Sequence, residues 1–253
     1  MTDLSNMTPQ QYRTLIRDNQ YLGPTSGLAP GYLQANLVIL PDLIAQDFRE
    51  FANLNPKPCP ILESLNPGQK DIQIIANAKV TSDFPAYRIF TPDQTIENIH
   101  NIDSYWQDDL VSFLVGCSFT TDSLLQAQNI PLKHAKFSTV IPIYMTHLKT
   151  KGTEYFSGPL AVSMRSIKKH QVDLIMEITQ HYPLAHGKPI HCGNPAQIGI
   201  NDISKPLFGT FYPLEDDEVP VFWACGITPQ LCAQIEKIKF MITHKPAHML
   251  IGD

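Results

Sequence analysis

Two stretches, "FLVGCSFTTDSLL" and "VFWACGITPQLCAQI", each carry an apolar run to a Gly/Cys pair and then a hydroxyl residue ahead of the next helix signal. Cys117 with Ser118, and Cys225 with Gly226 and Thr228, thus occupy turns where main-chain N–H groups can hold an anion. The positive end of a helix starting there would also lower a thiol pKa, as proton transfer or nucleophilic attack requires. Glycine and cysteine are equally useful as small residues that let elements pack closely, so the motif leaves both readings open. The two junctions differ in form, since Cys117 follows its glycine and Cys225 precedes it.

Ser163 and Arg165 close the apolar run of "GPLAVSMRS", and Asp83, Tyr87 and Arg88 lie in "SDFPAYRIF". A guanidinium at the rim of a sheet suits a carboxylate clamp with two parallel hydrogen bonds, although either arginine could equally be a surface residue. His186 and His191 sit in the Gly/Pro-rich "HYPLAHGKPIHCGNP", where a loop position favours acid/base work. Tyr144, in the run from Val140 to Met145, joins the substrate-binding candidates. A metal would have to be gathered from His191, Cys192, His244 and His248. No zinc spacing fits that set, and Pro246 breaks the helix that would align the last two. There is no GxGxxG after a strand, no Walker sequence, no GxSxG elbow and no HExxH, so neither cofactor nor metal is expected.

The elements that must position these groups can be read from periodicity and punctuation. Thr8, Pro9 and Gln11 predict a capped helix with Tyr12, Leu15 and Ile16 on one face. "GYLQANLVILP" reads as extended, Leu43, Ile44, Phe48 and Phe51 as a second helix, and "NPKPCPILE" as irregular. Strands are expected at Ile72 to Ala76 and Tyr87 to Phe90, and Trp106, Leu110, Phe113 and Leu114 fall on a helical stripe capped near Asp103 or Ser104. Beyond it come a short helix at Asp122 to Gln128, strands at Val140 to Met145 and Pro159 to Met164, and a helix from Ile167 to His181. The strand Val219 to Ala224 leads into a last long helix capped by Thr228, and a final strand lies near Phe240 to Thr243. Interspersed helices and strands make the fold class α/β.

Composition bounds the partners. A net charge of -5, from 19 Lys+Arg and 24 Asp+Glu, and no basic cluster beyond Lys168-Lys169-His170 argue against nucleic acid. No apolar run approaches the roughly 18 residues of a membrane span, and "MTDLSNMTPQQYRTLIRDNQ" lacks the pattern of a leader. Neither membrane nor secretion is expected, and the cytoplasm is the expected location. Five cysteines without CxxC spacing read as free thiols.

Together "GYLQANLVILP", "NPKPCPILE", "SDFPAYRIF", "WQDDLVSFLVGCSF", "GPLAVSMR", "HGKPIHCGNPAQIGI", "VPVFWACGITPQ" and "THKPAHMLIGD" resemble the bacterial YcsI-like family, labelled hydro-lyases. A related domain resembles part of the mitochondrial D-glutamate cyclase, which closes D-glutamate to 5-oxo-D-proline with loss of water. Cys192 and Asn194 depart from the family's "HIGDP", and Ala247 stands where a glycine is usual. The resemblance implies an α/β fold of two pieces, a three-layer α/β/α domain (1–133 and 216–253) and a smaller inserted two-layer α+β domain (134–215).

It also implies a hydro-lyase acting on a small amino or hydroxy acid, and the residue types above would then make Arg165 and Arg88 the carboxylate clamps. The amides of Cys225 to Thr228 would then form the anion pocket, His191 or His186 the acid/base, and Cys117 and Cys225 the floor. Two other readings stand beside it, a two-cysteine amino-acid racemase or epimerase and a non-catalytic binder of small acids. The expected partner is a small-molecule carboxylate, and a homo-oligomer is open.

Overall fold

Apolar side chains follow one another without a polar break along Leu37 to Leu40, and such a segment is stable only when covered on both faces. The computed structural model describes residues 7–253, so the first six residues of the leader reading lie outside the described residues. In chain order the elements are α1 (Pro9–Arg17), β1 (Gln34–Pro41), α2 (Asp42–Leu54), β2 (Ile61–Ser64), β3 (Tyr87–Phe90), β4 (Thr95–Ile99) and β5 (Leu110–Gly116). Then follow α3 (Asp122–Ala127), α4 (Lys133–Lys136), β6 (Ile143–Lys149), β7 (Pro159–Lys168), α5 (Val172–Gln180) and β8 (His191–Cys192). The chain closes with β9 (Glu218–Ala224), α6 (Thr228–Cys232), α7 (Ile235–Ile238), β10 (Met241–His244) and β11 (Leu250–Ile251).

The first sheet runs β2-β5-β1-β10-β3-β4, with β11 beside β1, and the second runs β6-β7-β9-β8. Every pairing among the described strands is antiparallel. The molecule is therefore a mixed α/β fold with two separate sheets. β1 sends Ala35, Leu37 and Ile39 into one cluster, beneath Ile72, Ile75, Phe84 and Ile102. Its Val38 and Leu40 enter another, beneath Phe48, Phe51 and Ala52 of α2. The period of two in a strand produces that division. Glu218–Ala224, inside the stretch assigned by sequence to the larger piece, pairs with β7 and β8 of the second sheet.

α1 carries the full capping box read from the sequence, with Thr8 and Gln11 satisfying each other's main-chain N–H. Elsewhere tertiary packing overrides periodicity. The stripe through Trp106, Leu110, Phe113 and Leu114 is a 3-10 turn at Asp103–Tyr105 followed by β5, not a helix. All seven residues of β5 are buried, and a run covered on both faces has no period to separate strand from helix. Ile72 to Ala76 forms no strand, and Ile72 and Ile75 reach the core from a loop held by the single bridge Asp71↔Lys79. Ile61 to Glu63, read as irregular, pair with β5 as β2.

In the second sheet β6 starts at Ile143 and not at Val140, whose carbonyl accepts from Thr210 N–H. β7 extends through Ile167 and Lys168, opposite Val219 and Glu218, so the following helix begins only at Val172. The long terminal helix is also absent. After five residues α6 stops where Ala233 turns extended and bridges Phe156, and Ile227, not Thr228, is its N-cap.

Two substitutions test this backbone. A Cβ at Gly116 would lie 1.6 Å from the Leu184 carbonyl oxygen, a contact no rotamer can relieve, so Gly116→Ala should cost about 3 kcal/mol in urea unfolding. Ala247 has φ 69°, the left-handed region that penalises a Cβ, so Ala247→Gly should raise stability by about 0.5–1 kcal/mol.

Candidate active site

Alternation along β7 sends Val162 and Met164 to one face of the second sheet, against Tyr144 and Phe222. The opposite face carries Ala161, with Ile227 and Cys225, and Ile167, with Trp223 and Val221. Ser163 and Arg165 share that second face by the same period. β5 ends there at Gly116 and β9 at Ala224, so both Gly/Cys junctions leave their strands beside one small hollow. Cys117, Ser118, Ser163, His186, Cys225 and Gly226 line it together with Asn36 and His244. Its free volume of about 20 Å³ suits a single water and excludes a substrate.

The two junctions share a set of bonds. The Cys117 carbonyl accepts from Thr120 N–H at 3.2 Å, and the Cys225 carbonyl from Thr228 N–H at 3.0 Å. Phe119 N–H is directed at the Cys117 sulfur and Ile227 N–H at the Cys225 sulfur. Each threonine hydroxyl then accepts from a strand N–H, Thr120 from Gln34 at 3.1 Å and Thr228 from Ala161 at 3.2 Å. Cys-Ser-Phe-Thr and Cys-Gly-Ile-Thr thus share these bonds but still differ in form, since the Thr228 hydroxyl donates to the Cys225 carbonyl at 2.7 Å and the Thr120 hydroxyl to the Gln34 carbonyl at 3.5 Å. At position 226 only glycine fits, since a Cβ would stand 2.1 Å from Asn36 Nδ2.

That bonding also occupies amides the sequence reading left free for an anion. The N–H groups of Cys225, Ile227 and Thr228 all have partners within the protein, and Thr228, completely buried, is a structural brace. Nor is either thiol activated. Burial pushes Cys117 up to about 12 and Cys225 up to about 11, because the helices that follow are too short to offset the loss of water.

Arg165 is buried, not superficial. Its Nε and Nη2 donate to Asp122 Oδ1 at 2.9 and 2.6 Å, and Nη2 also donates to Ser118 Oγ at 3.2 Å. His134 Nε2 holds the other Asp122 oxygen at 2.7 Å, and the guanidinium lies over the Trp223 ring, 4.9 Å from its centroid. Burial alone would raise the Asp122 carboxyl, but Arg165 and His134 outweigh it and hold the pKa below the usual range. The carboxylate that Arg165 clamps is therefore the protein's own. Its Nη1 remains buried without a partner.

Ser163 Oγ and His244 Nε2 are likewise buried and unpartnered, and both residues line the hollow. His186 donates Nδ1–H to the Lys57 carbonyl at 2.6 Å from a left-handed backbone, φ 72°. Burial pulls its pKa down to about 4, although the Lys57 and Gly116 carbonyls favour the charged ring.

The other candidates lie elsewhere. His191 stacks on Phe222 on the far face of the sheet, with Nε2 at 2.8 Å from the Asn194 carbonyl. Tyr144 shares that face and donates to the Ile203 carbonyl at 2.6 Å. Arg88 pairs with Glu97 at 2.9 Å and lines an open groove of about 460 Å³ with Lys245 and His248. A second groove, of about 420 Å³, is bounded by Tyr21, Asp122 and His134. Ser138 to Val140 line both grooves, and Val140 also lines the hollow, so this segment is the wall between them. Among the described residues no cluster of three or more His, Cys, Asp or Glu could hold a metal, and no helix is long and apolar enough to cross a membrane. Asn36 escaped sequence reading, and His244 was weighed there only as a metal ligand, because a polar residue within an apolar strand carries no motif.

Residues 111–253 match the D-glutamate cyclase family. A Psychrobacter arcticus protein named "Putative hydro-lyase" is 43% identical, across 100% of this chain and 97% of its own length. Proteins of the same designation from Bacillus licheniformis and Bacillus pumilus are 42% and 44% identical, covering 99% and 97% of this chain and 96% and 94% of theirs. A nitrogen repressor-like protein of Methanococcus jannaschii superimposes with a TM-score of 0.41 at 10% identity, across 96% of this chain and 97% of that one, which is too distant to inform fold or function.

Removing the negative partner of Arg165 leaves a buried charge uncompensated, so Asp122→Asn should lower the unfolding free energy at neutral pH by about 3–5 kcal/mol. His186 and His244, whose pKa values are pulled down to about 4 and about 3, stay neutral in the fold while the unfolded chain takes up protons below the ordinary 6.5. Stability should be fully present above that value and fall as the pH drops toward 4, with His186→Gln reducing the slope in denaturant titrations.

Proposed function

Because the chain belongs to the D-glutamate cyclase family, we propose that the hollow between its two cysteine turns is the active site of a hydro-lyase acting on a small amino or hydroxy acid. Closure of D-glutamate to 5-oxo-D-proline is the favoured reaction. The observation that carries this reading is that buried, unpartnered polar side chains open into the one cavity on which both junctions converge. Unsatisfied buried groups cost stability, and a fold keeps them where a ligand completes them.

In the cyclisation the free amine attacks the γ-carboxyl carbon. The ammonium first gives one proton to the γ-carboxylate; then a C–N bond forms, a C–O bond breaks, and the oxygen leaves as water with two of the ammonium's three protons, the third staying on the lactam nitrogen. Negative charge gathers on the remaining carboxyl oxygen, where fixed donors in a dry site act most strongly. His186 carries its proton on Nδ1, toward Lys57, which leaves Nε2 as the nitrogen able to take a proton from the amine and return it to the departing hydroxyl. Arg165 and Asp122 hold Ser118 and the first turn in place. Since the hollow admits only a water, the substrate reaches it when the segment from Ser138 to Ile141 moves aside. A cytoplasmic setting suits the free cysteines.

Two similar turns, each presenting a thiol to one hollow, also match the layout of a two-cysteine racemase. Such an enzyme needs one thiolate, and burial holds both thiols well above neutrality, so dehydration is preferred. Incubation with D-glutamate, L-glutamate and small hydroxy acids, followed by mass spectrometry, should show loss of one water from D-glutamate. Ser163→Ala should lower kcat by about 100-fold. Thermal stabilisation by these acids without turnover would leave a binding protein, and exchange of the α-proton lost in Cys117→Ser or Cys225→Ser would restore the racemase.

A further inference from the structure

His244 lies on β10 beside β1, and its proton position is decided by its neighbours. Leu37 N–H, which can only donate, points at Nδ1 from 3.1 Å, closer than the 3.5 Å contact of the same nitrogen with the Leu37 carbonyl. Nδ1 is thus the acceptor, and the single proton of a neutral imidazole sits on Nε2. That N–H faces the hollow without a partner, as does the hydroxyl of Ser163. Burial holds the His244 pKa down to about 3, and the nearby His248 and Arg88 oppose a second proton. The ring is therefore a permanent neutral donor at any working pH.

Resting on the hydro-lyase reading, we infer that His244 Nε2–H and Ser163 Oγ–H form the donor pair that holds the reacting carbonyl oxygen, while the substrate's standing carboxylate lies in the adjoining groove at Lys245, whose ammonium bonds the neutral Asn98 side chain, Arg88 being matched by Glu97. Charge is the reason for the division. The positive charge of Arg165 is matched by Asp122, so His244 and Ser163 offer the hollow dipoles without net charge. Neutral donors gain most when charge develops on an oxygen during reaction, whereas a carboxylate charged from the outset prefers cations. The groove of Lys245 shares Val140 with the hollow, so one extended substrate can span both once the wall moves.

Long-range proton–nitrogen NMR of protein labelled at histidine tests the pair without requiring turnover. The His244 ring should show the Nε2-protonated tautomer, unchanged from neutral pH down to about pH 4.5, and its Nε2–H should shift on adding formamide, a neutral carbonyl. With D-glutamate as substrate, His244→Leu should reduce kcat by about 100-fold with little change in KM or in the pH profile, and His244→Gln, which keeps an N–H, should recover part of the loss. An Nδ1-protonated ring, titration near the ordinary histidine value, or an Nε2–H unmoved by formamide would overturn the inference, even if the Leu variant failed to fold. A formamide shift with no response to D-glutamate would remove the cyclase reading and leave the donor pair serving another acid.

Discussion

A buried ion pair joins the two sheets. Arg165 stands on a strand of the second sheet, and Asp122 begins the short helix that follows the first sheet's cysteine turn. The pair ties Ser118, beside Cys117 in the hollow's lining, to the strand that carries Ser163. Such pairs rarely add net stability, because desolvation offsets the attraction, but losing one partner is costly. Its value here is geometric, since His134 and Trp223 leave the guanidinium a single orientation.

The same constraint explains the electrostatics of the site. A guanidinium already matched by a carboxylate cannot bind a second one with full strength, so the interior presents dipoles, and in the outer groove, where Glu97 matches Arg88, the charge on offer is that of Lys245. Both thiols and both lining histidines respond to that dry interior in the expected sense, the thiols pushed up and the imidazoles down. All four are uncharged at neutral pH. Chemistry that separates charge slowly and ends in water loss fits such a site better than chemistry that begins with a thiolate.

Close backbone approach sets the shape. Gly116 meets the Leu184 carbonyl and Gly226 meets Asn36, so each junction is glycine-tight at a different point of its turn. Ala247, which also lines the hollow, keeps a left-handed backbone despite its Cβ, because its carbonyl is held by Thr25 N–H at 2.8 Å.

The sequence by itself determined the local events: the capping box of α1, the strand at Gln34–Pro41, the turns at Cys117 and Cys225, and the family. These are legible because caps, glycines and apolar runs act over a few residues. Only the tertiary structure decided that Leu110–Gly116 is a strand, that Arg165 spends its charge on Asp122, and that His191 faces away while His244 faces in. A fully buried segment has no period to read, and a polar side chain's partner depends on which distant strand lies beside it.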